Sequence, residues 1–216
     1  MDVFLGGDQL DSAWSFEENG VDDGARLAVG PIVDLEKICT DLCQVNKWLS
    51  KGHLLKNYRR GYDNGDLLQF NPDGSLHSWD LQELNIHNLP DSFCKLQLSG
   101  DLNLSGNAIG EQGWGLPENF SALEVGGTLE LSNNGIKSLP PSIGFLNVGG
   151  DLMLQSNAIG DLPAGFASIR VGGIIDLRKQ IPIQNANEVY RNFRGWLRGQ
   201  LRDGAPFAGL REQVKL

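Results

Sequence analysis

The apolar positions in the middle of the chain repeat at a fixed period. Apolar-x-apolar triplets open successive units at Trp79-Asp80-Leu81, Leu102-Asn103-Leu104, Leu129-Glu130-Leu131, Leu152-Met153-Leu154 and Ile175-Asp176-Leu177, at steps of 23, 27, 23 and 23 residues. Three residues past each triplet stand Leu84, Asn107, Asn134, Asn157 and Gln180, and two further on Ile86, Ile109, Ile136 and Ile159 recur. Leu-Pro pairs follow at Leu89, Leu116, Leu139 and Leu162. Then come Phe93, Phe120, Ile143 and Phe166, next Leu96, Leu123, Leu146 and Ile169, and last Leu98, Val125, Val148 and Val171. The long unit has four extra residues around Gly110-Glu111-Gln112-Gly113-Trp114, an insertion confined to one point, as a surface loop tolerates.

Each triplet has a period of two and predicts a short strand with one buried face. The proline after each leucine excludes a regular helix at that point. One unit cannot close its own core, so consecutive units must stack, with their strands forming a parallel sheet on one side. The amides of Asn107, Asn134 and Asn157 then lie inside the stack. A buried amide needs partners, and free backbone groups of neighbouring turns would supply them as a ladder.

The segments LNLSGNAIG, LELSNNGIKSLPPSIGFL and LMLQSNAIGDLPAGFASI resemble the leucine-rich repeat pattern, in its short intracellular Leu-Pro form. The resemblance covers roughly residues 79–180, and the ladder Asn is replaced by Leu84 in the first unit and by Gln180 in the last. It implies an α/β repeat fold: a leucine-rich repeat solenoid with a short parallel β-sheet on its concave face and helical caps at both ends. In that family the concave sheet is the binding face.

The flanks divide the chain further. Residues 1–30 resemble the second half of a ubiquitin-like fold: a strand, a glycine turn with Gln9-Leu10, a Val-containing loop and a closing strand ending at Val29. The other half of such a fold would lie upstream of Met1. With one arginine against seven acids, this stretch is expected to be mobile. Residues 31–78 predict an N-terminal cap, a helix over 33–52 followed by a hairpin turning at Asn71-Pro72-Asp73-Gly74. The repeats are placed at 79–183 and a C-terminal capping helix at 184–204. In that helix Val189, Tyr190, Phe193, Trp196, Leu197 and Leu201 share one arc, and Arg191, Arg194, Arg198 and Arg202 another. Residues 205–216 are read as a tail.

Composition narrows the function. The 216 residues include 28 glycines, about 13% against a usual ~7%, and the pairs Gly126-Gly127, Gly149-Gly150 and Gly172-Gly173 recur with the repeat. Lacking GxxxxGK[ST] and GxGxxG spacing, they read as backbone turns feeding each strand rather than a phosphate loop. The net charge of −9 argues against nucleic-acid binding. No apolar run suits a membrane span and no signal peptide is visible, so membrane contact is not expected and the cytoplasm is the expected location. Cys39, Cys43 and Cys94 read as packed free thiols, the three histidines have no motif partner, and no catalytic residue, metal or cofactor is expected.

What remains is the outward side of the sheet. The residues flanking each buried apolar pair point away from the core. Asp80, Asp101, Asn103, Glu130, Asp151, Met153, Asp176 and Arg178 are therefore the candidate partner-binding residues, and a basic protein segment is the natural complement. The expectation is a monomeric, non-catalytic protein-interaction module. The alternatives are a recognition arm of a larger ubiquitin-pathway or signalling protein, and a fragment of a bigger enzyme.

Overall fold

The computed structural model describes residues 4–5, 8–9, 35–51, 54, 68–111, 115–180 and 194–216. Its parallel strands repeat in step with the sequence. β3 (Leu68–Phe70) and β4 (Leu76–Asp80) form an antiparallel hairpin, and β6 (Leu102–Asn103), β8 (Leu129–Glu130), β10 (Leu152–Met153) and β12 (Ile175–Asp176) follow β4 in parallel. The register aligns Trp79, Leu102, Leu129, Leu152 and Ile175, the first apolar residue of every triplet. Near the N-terminus, β1 (Phe4–Leu5) and β2 (Asp8–Gln9) pair antiparallel. Of the segment read as ubiquitin-like, residues 1–3, 6–7 and 10–30 lie outside the described residues.

A second, four-stranded parallel sheet joins β5 (Gln97–Leu98), β7 (Glu124–Val125), β9 (Asn147–Val148) and β11 (Arg170–Val171). Between the strands of the two sheets run short 3₁₀ turns at Phe93–Lys95, Phe120–Ala122, Pro141–Phe145 and Ala164–Ser168. Each starts within a few residues of its Leu-Pro, where the proline has removed an amide that a longer helix would need. The core fills the space between. Leu81, Leu104, Leu131, Leu154 and Leu177 are buried from the long sheet, and Phe93, Phe120, Ile143 and Phe166 from the 3₁₀ turns.

The glycine pairs do not serve as reversed-handed turns. None of the six has a positive φ. A Cβ at Gly149 would strike the carbonyl of Gly126, and one at Gly172 the carbonyl of Gly149. The first glycine of each pair lets the backbones of neighbouring units touch. Left-handed positions that recur with the repeat lie elsewhere, at Glu83, Gly106, Asn133, Ser156 and Lys179, with φ between 54° and 67°. These are equivalent places in five successive turns, and only one is glycine.

The ends differ from the expectation of two helical caps, which are not evident. On the N-terminal side the predicted helix is α1 (Leu35–Val45), which buries Ile38, Cys39 and Leu42. The edge strand of the long sheet there is β3. At the other end residues 194–200 are helical (α2), but the edge of the sheet is closed by a strand, β13 (Val214–Lys215), paired parallel to β12. The segment read as a tail therefore completes the sheet: the Ile175 and Leu177 amides donate to the carbonyls of Gln213 and Lys215, at 2.9 Å each. A helix could not satisfy that exposed row of strand amides; another strand does. Leu197, Leu201, Phe207 and Leu210 are buried beside it, with Phe207 edge-on to Phe166. Trp196, expected on the apolar arc, is 37% exposed. Residues 181–193, with the rest of that predicted arc, lie outside the described residues. Among the described residues no helix is long and apolar enough to cross a membrane.

Candidate functional site

The three ladder asparagines are buried. Asn107 Oδ1 accepts from the amides of Leu84 and Ile86 in the preceding unit, at 3.0 and 2.9 Å, and its Nδ2 donates to the Leu81 and Leu104 carbonyls. Asn157 repeats this with the amides of Asn134 and Ile136 and the carbonyls of Leu131 and Leu154. Asn134 donates to Leu104, Leu131 and Ser132, but its buried Oδ1 accepts nothing. Asn134 belongs to the unit that follows the one carrying the four-residue insertion. Gln180 continues the ladder with its longer side chain, accepting from the Ile159 amide and donating to the Leu154 carbonyl. At the other end Asn46 was not legible as part of it. Fully buried just after α1, it accepts from the His87 and Asn88 amides and donates to the Leu42 and Asn88 carbonyls.

The long sheet brings the candidate partner-binding residues into columns. Asp80, Asn103, Glu130, Met153 and Asp176 occupy equivalent register positions, and Lys215 of β13, which the repeat period does not reveal, ends the row. Most of the acids have structural work. Asp80, Asn103, Glu130 and Asp176 each accept the amide two residues on, from Gln82, Ser105, Ser132 and Arg178, at 2.9 to 3.1 Å. These side-chain-to-backbone bonds fix the turn that leaves each strand. Met153 has no oxygen to do so, and Gln155 two residues on has a buried Oε1 without a partner.

A second row ties one unit to the next. The Asp101 amide donates to Ser78 Oγ at 2.9 Å, the Thr128 amide to Asp101 at 2.6 Å and the Ile174 amide to Asp151 at 2.8 Å. Gly127 and Gly173 make room for this bond: a Cβ at Gly127 would clash with the Asp101 carboxylate oxygen and one at Gly173 with that of Asp151, whereas one at Gly150 would meet the Gly127 backbone. In both rows a single oxygen makes the bond. Among the described residues nothing donates to the second oxygen of Asp101, Glu130 or Asp151, so each keeps a charged acceptor. Asp101 is exposed, and Glu130, Asp151 and Met153 are half-buried.

Asp176 is different. Its side chain is fully buried, and the Arg178 guanidinium grips both its oxygens at 2.5 to 3.0 Å. Burial pushes this carboxyl up, but the Arg178 hydrogen bonds and charge outweigh it and hold it below the ordinary aspartate range. Asp176 is therefore spoken for within the chain, and Arg178 lies outside over it, 58% exposed. A carboxyl with a depressed folded pKa stabilises above its unfolded value and loses that contribution as pH falls through the folded one. The stability gap between wild type and Asp176→Asn is accordingly expected to be full near pH 7 and to close steadily below about pH 4. Thermal melts of both proteins from neutral to acid pH measure it; a gap that does not change with pH would remove the ionised pair as its cause.

Cys39 and Cys94 are buried and their thiols are pushed up to about 12, chiefly by that burial; Cys43 is raised less and is half-buried. All three are free. Among the described residues no three His, Cys, Asp or Glu side chains gather as metal ligands do. Compared with known protein families and with characterised proteins, the chain matches no family and no protein.

Proposed function

We propose that this chain is a non-catalytic protein-interaction module of leucine-rich repeat type, a solenoid that works in the cytoplasm and takes a basic segment of a partner on its long sheet. The supporting observation is the parallel register of five triplets, which sets the residues between the apolar pairs side by side in one row. Since turn chemistry occupies most of that row, recognition centres on Met153, the one position in it with no bond to make. Around it the second oxygens of Asp101, Glu130 and Asp151 supply negative charge for steering, and the adaptable thioether supplies apolar contact.

The test follows from this division of labour. Reversing Asp101 or Asp151 would also break a bond between units, so Met153→Lys is the cleaner probe. Affinity capture from lysate with wild type beside Met153→Lys is expected to lose at least one partner with the variant, whose melting temperature stays unchanged. Asn147→Lys on the short sheet should retain that partner. A partner list unaffected by Met153→Lys but altered by Asn147→Lys would place recognition elsewhere.

A further inference from the structure

The last part of the chain carries charge opposite to the rest. Residues 191–216 hold six basic and two acidic side chains, a formal +4, whereas the whole chain stands at −9, leaving −13 for the remainder. Three of these arginines, Arg198, Arg202 and Arg211, line one open cleft of about 550 Å³ with Leu201, Asp203 and Val214. α2 and the residues after it supply one wall, and β13 the other.

The charges in this cleft are not explained by the fold. Arg198 and Arg202 are four residues apart along α2 and its end, where like charges repel. Both are exposed, and among the described residues no carboxylate lies within ion-pair distance of either. Arg211 reaches Asp203 at 3.2 Å, but both partners face solvent, Asp203 at 95%. Counting side chains alone, three arginines in the cleft stand against the single carboxylate of Asp203. Its apolar part is Leu201, which is buried, with Val214 and Leu216, which are half-buried.

We propose that this cleft binds a phosphate monoester whose ester group is apolar. Such a group carries close to two negative charges near neutral pH, which suits three arginine side chains set against one carboxylate side chain. Guanidinium groups offer paired planar donors that fit phosphate oxygens, and a carboxylate would supply only half the charge. The apolar group would lie against Leu201 and Val214. The cleft shares β13 with the long sheet, but Met153 does not line it.

The full chain titrated by calorimetry with phenyl phosphate, phenyl sulfate and inorganic phosphate, at low salt and about pH 7.5, tests the assignment. Phenyl phosphate is expected to bind at least about tenfold more tightly than phenyl sulfate, which has the same ring but one charge, and more tightly than inorganic phosphate, which lacks the ring. Arg198→Gln/Arg202→Gln should weaken phenyl phosphate at least about tenfold while the free protein melts as wild type. Arg170→Gln, an exposed arginine on the short sheet, should change nothing. Absence of phenyl phosphate binding, equal affinity for the sulfate, or indifference to the double substitution would each overturn the proposal.

Discussion

Asn157→Ala is expected to destabilise the fold by at least about 3 kcal/mol, because four buried backbone groups lose their partner at once. The side chain is 2% exposed and bridges two units, accepting from Asn134 and Ile136 and donating to Leu131 and Leu154 at 2.9 to 3.1 Å. Each buried donor or acceptor left unpaired costs about 1–3 kcal/mol, partly recovered where water enters the space. At this chain length about 3 kcal/mol corresponds to a fall of roughly 6–12 °C in melting temperature. Asn134→Ala should cost less, since its Oδ1 makes no bond to lose. Thermal melts of the two variants side by side read the order directly. Asn157→Ala melting with wild type would show that the ladder does not hold the units together.

Gly149→Val is expected to be at least as damaging, for the opposite reason. There is no space for even the first carbon: it would meet the carbonyl oxygen, the carbonyl carbon and the Cα of Gly126. Overpacking usually costs about 1–3 kcal/mol when side chains can move aside. Here the obstacle is backbone, and shifting it strains the bonds from the Gly149 amide to Val125 and from Gly150 to Gly127, both 2.8 Å. A loss above about 3 kcal/mol, or failure to fold, follows. Gly160→Ala is the internal control. Nothing lies within 4 Å of its would-be Cβ and its φ is not positive, so it should be neutral or stabilise by about 0.4–1 kcal/mol. Urea denaturation of both variants checks the contrast; equal effects would mean that conformation, not space, selects these glycines.

The strands of the long sheet and the asparagine ladder were legible because both recur at a fixed period with a residue type that has one physical use. The second sheet carried the same signal, in the alternation Leu96-x-Leu98, Leu123-x-Val125, Leu146-x-Val148 and Ile169-x-Val171, but the glycines beside it drew attention to turn geometry instead. Those glycines serve close approach, which depends on where the neighbouring unit lies and so leaves no local trace. β13 stands 39 residues after β12, outside the period, and Asn46 acts like a ladder residue from a segment with no repeat. The register sets Asp80, Asn103, Glu130, Met153 and Asp176 side by side, but acidity in such a row does not by itself mark a binding face. Much of it is turn chemistry: an aspartate or glutamate two residues before a backbone amide looks the same in sequence whether it faces a partner or its own turn. Asp176, buried under Arg178, shows the difference most sharply.

The most direct test of the long sheet as the recognition surface is site-specific photo-crosslinking. A benzophenone side chain placed at Met153, and separately at Asn147 on the short sheet, would be activated in lysate and its covalent partners identified. The account predicts one discrete partner crosslinked from position 153, through a lysine- or arginine-rich segment, and not from 147. A partner captured from 147 and never from 153 would contradict it.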